Sequence, residues 1–311
     1  MITGFYAATA AAGNCPNAVL IDNLTSFAPS LKRLQWTKSN NTATHSYREV
    51  KAVSGVDIYD FDGVLPSLDV SFSLSHVHLT PFGGAIELGD DFCRNSRQSL
   101  DSLFVEQAKY VARDLGMKLE RSIYEKIVRT SIDTNRNFLL SGDVPNTASN
   151  TLVVLTPVSG EVCGLYSPAY GKYDSDRLIE LEKLSGGALY SNLKGVAVFG
   201  AIFKAVLGVL LGNRRMYATV TNVDPTDKDF VKTFPEKMSE VLDECLVGES
   251  TFILMSNRLK TAIGSKYTTH TTQNTLIRFD EKCNLSICGV PVVHSANIPS
   301  KVDWTKMPGT A

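Results

Sequence analysis

Two histidines, His76 and His78, have the spacing closest to that of a metal site. They lie two apart on a predicted strand, so both side chains lie on one face, as two ligands of one ion must. The sequence near this pair does not indicate a third metal ligand. We therefore expect a hydrogen-bonded pair at the surface or at an interface, and no metal site.

The other reactive side chains do not form a catalytic arrangement either. Asp90 and Asp91 are adjacent, and adjacent side chains rarely converge, so a solvated turn is expected there. Cys283 and Cys288 bracket a predicted tight turn, where structural thiols are expected. The sequence contains neither a GxSxG elbow nor a GxxxxGK[ST] phosphate loop. These observations predict a protein that is not an enzyme and that holds no cofactor.

The charge balance excludes one function class. The chain has 311 residues, with 31 basic and 32 acidic side chains and a formal charge of -1. This balance argues against a dedicated nucleic-acid binder, because such proteins carry a basic surface. DNA contact through Arg214 and Arg215 is expected to be weak and salt-sensitive.

The cysteines and the N-terminus indicate the compartment. The 6 cysteines contain no CxxC pair, so free thiols in a reducing compartment are expected. Residues 1–14 lack the basic start and compact apolar run of a secretory signal, so no export is predicted.

The element that must position the rest is a long amphipathic helix over residues 99–130. Ser99 is placed to cap its first turn, and Asp101 puts a negative charge near the positive end of the helix dipole. Gly116 indicates close packing or a slight bend. The apolar residues recur three or four apart and form one stripe: Leu100, Leu103, Phe104, Ala108, Val111, Ala112, Leu115, Leu119, Ile123 and Ile127.

Residues 45–82 predict a long β-hairpin, with strands over residues 47–59 and 68–79. The return strand alternates apolar with polar residues, which gives it one apolar face. A two-stranded ribbon is marginal in water, so something must cover this face, and a second copy of the chain is one candidate. The candidates for contact between subunits are Tyr47, Val50, Ile58, Leu68, Val70, Phe72 and Leu74.

Two further segments differ from both the helix and the hairpin. Residues 1–36 show no sustained apolar period and predict an extended arm with one short helical piece. The arm must lie on the following domain or reach a neighbouring subunit, and the sequence leaves both open. Residues 195–212 are mostly apolar and predict a buried helix. Lys204 and four glycines argue against a membrane span there.

The remaining elements are short. Residues 135–150 predict a surface loop, and residues 174–184 predict a charged helical piece. Helices are expected over 234–246 and over 257–263, the latter closed by Gly264. Regular βα repetition is absent, which argues against a doubly wound nucleotide-binding fold. Further strands are expected over residues 151–156, 216–223, 251–255, 276–279, 285–288 and 290–294.

The order of these elements resembles the major capsid proteins of tailed bacteriophages, which have the Hong Kong 97 fold. The C-terminal part carries the most specific likeness. There an apolar strand, Phe252-Ile253-Leu254-Met255, ends in the turn Ser256-Asn257, and a short helix follows. A later strand, Cys288-Gly289-Val290-Pro291-Val292-Val293, ends near Ile298-Pro299. The approach to the long helix, residues 79–92, is also similar.

The resemblance implies an α+β protein with four parts. They are an N-terminal arm over residues 1–36 and an extended hairpin loop over 37–84, followed by a peripheral domain over 85–149 and 276–311 and an axial domain over 150–275. The long helix would be the spine helix of the peripheral domain. The apolar run at 195–212 matches no common family motif.

The resemblance also implies a function. It predicts a virion protein that assembles with itself into pentamers and hexamers of an icosahedral shell around double-stranded DNA, in the cytoplasm of a host bacterium. Scaffolding, cement and portal proteins are the further expected partners, and no membrane is expected. Two alternatives stay open: an encapsulin-like shell, which has the same fold, and an α+β enzyme of unknown activity.

Overall fold

The computed structural model describes residues 15–54, 69–96, 98–142, 149–167, 179–269, 276–280 and 284–299. The helices in this part of the chain are α1 Cys15–Ser26, α2 Pro29–Arg33, α3 Asp90–Asn95, α4 Leu100–Asp133, α5 Phe230–Glu244 and α6 Asn257–Thr269. Short 3-10 turns occur at Leu184–Gly187 and Arg214–Met216.

The strands of the first half are β1 Trp36–Lys38, β2 Thr44–Ser54, β3 Asp69–His78, β4 Thr80–Gly89, β5 Asn137–Leu139, β6 Asn150–Leu155 and β7 Val162–Tyr166. Those of the second half are β8 Glu180–Lys183, β9 Tyr190–Ser191, β10 Ala197–Leu211, β11 Tyr217–Val223, β12 Phe252–Ser256, β13 Ile277–Phe279, β14 Leu285–Ile287 and β15 Val290–Ser295. Helix and strand are mixed without regular alternation, so the α+β prediction is confirmed.

The described strands form two sheets and one separate ribbon. A six-stranded sheet has the order β1-β7-β10-β4, with β8 and β9 also pairing with β10. A seven-stranded sheet has the order β13-β14-β15-β12-β6-β11-β5. Strands β2 and β3 pair only with each other among the described residues and form the ribbon. The larger core cluster joins α1, α2 and α4 to both sheets.

Helix α4 is the predicted long helix, and it runs for 34 residues. The predicted cap is confirmed, because the Ser99 hydroxyl accepts a hydrogen bond from the Ser102 amide at 3.3 Å. The predicted stripe faces the core: Leu103, Phe104, Ala108, Ala112, Leu115, Leu119, Ile123 and Ile127 are all buried. Helix α4 therefore forms the central element of the larger core, and α1, α2 and both sheets pack against it.

Replacing Ser99 with alanine is expected to destabilise the subunit by about 1 kcal/mol, the usual cost of losing an N-cap side chain. The free energy of unfolding in urea measures this loss. Ser99→Asp is the matched control, since its carboxylate can accept the same hydrogen bond and favours the positive end of the helix dipole. Equal stability of the alanine and aspartate variants would contradict the role of the cap.

The described part of the N-terminal segment, residues 15–36, lies on the chain's own body, which is one of the two alternatives left open by the sequence. It is also more helical than the predicted extended arm, since α1 and α2 occupy most of its described part. Leu20 and Leu24 of α1 are fully buried. A Cβ atom on Gly116 would lie 1.9 Å from the carbonyl oxygen of Leu24, so the glycine permits the close contact of α1 with α4. The predicted close packing at Gly116 is confirmed.

A buried carboxylate ties three distant parts of the chain together. Glu120 of α4 is fully buried, and its Oε1 accepts hydrogen bonds from the amide of Ser30 at 2.9 Å and from its hydroxyl at 2.7 Å. Its Oε2 accepts from the Ser295 hydroxyl at 2.5 Å and from Asn297 Nδ2 at 2.7 Å. All four donors are neutral groups, and their hydrogen bonds compensate the cost of burying the carboxyl group. Glu120 thus joins the N-terminal segment, α4 and the C-terminal strand region.

The prediction of a buried helix over residues 195–212 is wrong. These residues form β10, a strand of 15 residues that pairs with β4 along one edge and with β7, β8 and β9 along the other. Periodicity alone does not separate a strand buried by such pairing from a buried helix. Lys204 remains partly exposed, with its Nζ 3.5 Å from Glu182 Oε2 on β8. Among the described residues, no helix combines the length and apolar content needed to cross a bilayer.

Three smaller predictions also need correction. Residues 180–183, predicted as part of a helix, form β8, because this segment pairs with β10; residues 174–178 lie outside the described part. Residues 137–139, predicted as loop, form β5 at the edge of the second sheet. Helix α6 continues through Gly264 to Thr269. Gly264 serves close packing there, since a Cβ atom would lie 3.1 Å from the Phe279 ring.

The second core lies between the seven-stranded sheet and helices α5 and α6, and it confirms most of the predicted elements after residue 216. Met238, Val241 and Leu242 bury the predicted face of α5. Pro235 lies inside this helix and cannot donate to the carbonyl of Val231. The hydroxyl of Tyr267 donates to that carbonyl at 3.2 Å instead. A side chain of α6 thus supplies the hydrogen bond that Pro235 cannot make within α5.

Candidate assembly surface

The ribbon is an antiparallel pair with one irregularity. Thr44 lies opposite His78, and the register is regular up to Val50 opposite Phe72. Between Val50 and Ala52 the register shifts by one residue, which is a β-bulge. Opposite residues share a face, so Arg48 lies beside Leu74, and Tyr47 lies beside Ser75 on the other face.

The root of the ribbon is fixed to the body on one face. Tyr47 and Val77 pack against a small buried cluster formed by Leu79, Cys163, Leu165, Val206 and Leu210. Glu49 lies on the same face and pairs with Arg214, with Nε 3.5 Å from Oε1. Burial is the main cause that raises the pKa of the Tyr47 hydroxyl above its usual value, with the nearby Glu49 as a second cause. Tyr47 is therefore neutral at physiological pH and acts as an anchor in the single chain.

An asparagine before the ribbon holds the start of β2. Asn40 Nδ2 donates to the carbonyl of Ser46 at 2.6 Å, and Asn40 Oδ1 accepts from the amide of Ser46 at 2.9 Å. The side chain of Asn40 thus mimics a paired strand at this point. Sequence reasoning missed Asn40 and Glu49, and it named Arg214 only as a possible DNA contact. Each of the three acts here through a partner that only the fold brings close.

The other face of the ribbon is exposed. Phe72 and Leu74 expose 54% and 66% of their surface, although both are large apolar residues. We call these two side chains the ribbon face. Their alternation with partly buried Ser73 and Ser75 confirms the predicted pattern of one apolar and one polar face. In the single chain it is the apolar face that is left uncovered.

The remaining candidates are placed as follows. The structure gives strand positions for Val50 and Val70, which lie opposite Phe72 and Val53. Ile58 and Leu68 lie outside the described residues. A role in contact between subunits stays a prediction for all seven candidates.

The residues with possible chemistry do not converge. His76 Nδ1 lies 2.9 Å from the Ser46 hydroxyl across the ribbon, a hydrogen bond as predicted, and His78 lies opposite Thr44. Within the described ranges, no group of three or more potential ligands could hold a metal ion. Asp90 begins α3 and pairs with Arg94 at 2.7 Å. Cys288 and Gly289 have positive φ and form the turn between β14 and β15; Cys283 lies outside the described residues.

A cleft of about 480 Å³ separates the root of the ribbon from the body. Three arginines line it: Arg48 from β2, and Arg214 and Arg215 from the segment after β10. Of the two lining carboxylates, Glu49 pairs with Arg214, and Glu161 accepts a hydrogen bond from Asn213 at 2.5 Å. The cleft therefore has a net positive lining, suited to weak contact with anions.

Comparison with known proteins gives structural matches only. No family model matches the sequence, and no curated protein does. A chain in the structure of bacteriophage Epsilon15 matches with a TM-score of 0.56 and 10% identity, over 87% of each chain. A chain of the bacteriophage JBD30 capsid matches with a TM-score of 0.54 and 8% identity, over 84% of this chain and 88% of that one.

The JBD30 capsid decorated with minor capsid protein trimers gives a TM-score of 0.52 at 9% identity, over 89% of this chain and 93% of the other. These matches span nearly all of both chains. This chain has the Hong Kong 97 fold.

The predicted order of long hairpin, long helix and closing strands is confirmed, with α4 as the long helix. Strand β12 pairs in parallel with β15, which joins the two segments that carried the C-terminal likeness. In this chain the ribbon is a two-stranded element whose exposed face carries Phe72 and Leu74.

Proposed function

We propose that the protein is the major capsid protein of a tailed bacteriophage. In this proposal the subunit assembles with itself into pentamers and hexamers of an icosahedral shell that encloses double-stranded DNA. The ribbon face carries the proposal, because Phe72 and Leu74 stay exposed on an element that its own body anchors from the other side. The fold shared with the JBD30 capsid chain supports it.

The four parts keep the boundaries inferred from the sequence. Residues 1–36 form the N-terminal arm, 37–84 the extended hairpin loop, 85–149 with 276–311 the peripheral domain, and 150–275 the axial domain. Packing of α1 and α2 on α4 supports an arm that stiffens the peripheral domain from its own subunit. Pairing of β10 with β4 supports a continuous sheet between the axial segment and the start of the peripheral one.

The proposed partners follow from the surfaces. Neighbouring subunits cover the ribbon face. The arginine-lined cleft, with Arg214 and Arg215, suits weak non-specific contact with enclosed DNA. Scaffolding, cement and portal proteins are the further proposed partners. No membrane, cofactor or catalytic role is proposed, and the protein belongs to the virion after assembly in the bacterial cytoplasm.

Negative-stain electron microscopy of the purified chain, with light scattering on the same sample, tests the proposal. Closed shells, or separate pentamers and hexamers, are the expected result, because many weak contacts add through multivalency. Shells that hold enzymes bearing cargo peptides in place of DNA would favour the encapsulin-like alternative. A monomer at every concentration, with turnover in a substrate screen, would contradict a capsid role and favour the enzyme.

A further inference from the structure

A groove of about 910 Å³ lies between helix α6 and the strands at one end of the seven-stranded sheet. We call it the α6 groove. Its volume is that of a typical ligand pocket, so it has room for the side chains of a short peptide. Residues from three elements line it: Lys260, Gly264 and Tyr267 of α6, Ile277 and Phe279 of β13, and His294 of β15.

The walls of the α6 groove are held in place within the subunit. A Cβ atom on Gly264 would lie 3.1 Å from the Phe279 ring, so α6 and β13 are in close contact at this point. The Nδ1 atom of His294 lies 2.7 Å from Oδ1 of Asn257, which joins β15 to the start of α6. The groove is therefore preorganised, and its walls lose little conformational entropy when a partner fills it.

The apolar part of the lining is uncovered. Phe279 exposes 41% of its surface, and Leu276, just before β13, exposes 39%. Ile277 lies between them and is buried. Exposed apolar side chains at a concave surface favour a partner with one large apolar group, because the group loses its contact with water in the groove.

The polar part of the lining carries a positive charge. Lys260 lies one helical turn before Gly264, and none of the described residues that line the groove is acidic. Burial lowers the pKa of His294, and the nearby charge of Lys260 lowers it further. His294 is therefore neutral at physiological pH, and the positive charge belongs to Lys260. A carboxylate next to a large aromatic side chain fits both parts of the groove.

The chain itself contains such a pair. Asp303 and Trp304 are adjacent in residues 300–311, which lie outside the described residues. Adjacent side chains of an extended segment point to opposite sides. In a groove with two walls, one side chain of the pair can therefore reach Lys260 on the helix while the other reaches Phe279 on the strand.

The length of the chain permits this contact within one subunit. His294 lines the groove, and Pro299, the last described residue, follows five residues later. Five residues span at most about 17 Å, so Pro299 lies within that distance of His294. Trp304 lies five residues beyond Pro299 and has the same reach. It can therefore return to the groove of its own chain.

We propose that Asp303 and Trp304 occupy the α6 groove of their own chain, with the carboxylate of Asp303 beside Lys260 and the ring of Trp304 on Phe279. The inference goes beyond the proposed function, because it concerns the folded subunit and does not depend on assembly. It gives residues 300–311 the role of covering the exposed end of the seven-stranded sheet.

Tryptophan fluorescence of the full chain tests the occupant. The chain has 2 tryptophans, Trp36 and Trp304, so the difference in emission between the chain and its Trp304→Phe variant reports Trp304 alone. Phe72→Ser and Leu74→Ser are included to prevent assembly, and light scattering verifies that the samples contain single subunits. Trp304 is expected to emit at shorter wavelength, and to be quenched less by acrylamide, than in a free peptide of residues 300–311.

A change in the strand wall tests the place of the ring. Phe279→Ser is expected to lower the ratio of occupied to empty groove roughly tenfold, so quenching of Trp304 should rise toward that of the free peptide. Phe92→Ser is the matched control, because Phe92 is also exposed, at 53%, and lies on α3. It should leave the quenching of Trp304 unchanged. Circular dichroism verifies that both variants are folded.

Exchange of the two charges tests the pairing. Lys260→Glu and Asp303→Lys each place like charges together, so each is expected to lower the ratio of occupied to empty groove roughly threefold at low salt. The double variant restores opposite charges and should return to within about twofold of the original ratio. Lys194→Glu, at an exposed position in the turn before β10, should have no effect.

Three results would overturn the inference. Quenching of Trp304 in the original chain as strong as in the free peptide would show that the segment does not fill the groove. Protection that Phe279→Ser and both single charge variants leave intact would place Trp304 elsewhere. Protection that grows with subunit concentration would make a second copy the source of the segment. A double charge variant that stays unprotected would overturn the pairing of Asp303 with Lys260. All of these measurements use unassembled subunits, so electron microscopy tests the proposed function separately.

Discussion

Replacing Phe72 and Leu74 with serine is expected to abolish shell assembly while the subunit stays folded. Both side chains are more than half exposed in the single chain, so their loss should change its free energy of unfolding by no more than about 0.5 kcal/mol. At an interface the same side chains would lose their remaining contact with water. Burial of that area stabilises each contact by roughly 2 to 3 kcal/mol.

This energy matters because a shell repeats the contact. A loss of about 2 to 3 kcal/mol weakens each association by roughly 30- to 150-fold. The weakening applies at every contact of every ring. The subunit concentration needed for assembly should therefore rise above the concentrations that can be prepared. Electron microscopy and light scattering at matched concentrations measure the effect, and urea unfolding verifies that the subunit is intact.

Leu193→Ser is the matched control. Leu193 is a fully exposed apolar residue, and it lies in the turn before β10, away from the ribbon. Its replacement removes similar apolar surface, and assembly should continue. Shells of normal appearance from the chain with both ribbon substitutions would contradict the ribbon as the assembly element. The larger deletion of residues 50–78 should likewise leave a soluble subunit that no longer closes shells.

Elements with a strong local signal were predictable from the sequence. Helix α4 carries an apolar stripe, a serine cap and an acidic residue in its first turn, and these signals act within a few residues of each other. The ribbon was predictable for the same reason, because alternation of apolar and polar residues belongs to the strand itself. Exposure of Phe72 and Leu74 followed, since a two-stranded ribbon has no core of its own.

Elements defined by distant partners were not predictable. Strand β10 is mostly apolar and pairs along both edges, with β4 on one side and with β7, β8 and β9 on the other. These partners lie far away in the sequence, since Leu207 of β10 pairs with Thr80 of β4. An apolar run of this kind has no period that separates helix from strand. Gly264 has the sequence signature of a helix end, but the fold uses it for contact with Phe279.

The same limit applies to the candidate site. The sequence identified the apolar residues of the ribbon, and it did not identify how the ribbon is held. Glu49 and Arg214 lie 165 residues apart in the sequence, and Tyr47 packs on residues from β7 and β10. The contact of the Arg113 guanidinium with the rings of Phe27 and Tyr110 likewise forms only when α1 docks on α4. Each surface combines a local sequence pattern with a contact between residues that are distant in the sequence. Only the local pattern can be predicted from the sequence.

Glu120→Ala is expected to cause the largest loss of stability among the substitutions proposed for this chain. The carboxylate is fully buried, and its removal leaves four donors without an acceptor: the amide and hydroxyl of Ser30, the Ser295 hydroxyl and Asn297 Nδ2. Unsatisfied buried groups, together with the cavity, should cost about 3 to 5 kcal/mol. This is a large share of the stability of a typical domain.

Urea unfolding measures the loss, and it should be performed in the background of the two ribbon substitutions, where assembly does not add to the apparent stability. Asp114→Ala is the matched control, because its exposed pair with Lys118 should contribute no more than about 0.5 kcal/mol. The loss in free energy of unfolding for Glu120→Gln should lie between these two values, at about 1 to 3 kcal/mol, since the amide keeps one acceptor and turns a donor toward Asn297.

The relative losses in free energy of unfolding of Glu120→Ala, Glu120→Gln and Asp114→Ala distinguish two explanations of the role of Glu120. If it is the acceptor that joins the N-terminal segment to the C-terminal strand region, the alanine variant should also loosen both ends, and proteolysis should then cut near residue 30 before it cuts α4. If Glu120→Gln were as stable as the original chain, the buried charge would be dispensable and the four hydrogen bonds would not explain it. Equal losses in the free energy of unfolding for Glu120→Ala and Asp114→Ala would contradict the role of Glu120 in joining the N-terminal segment to the C-terminal strand region.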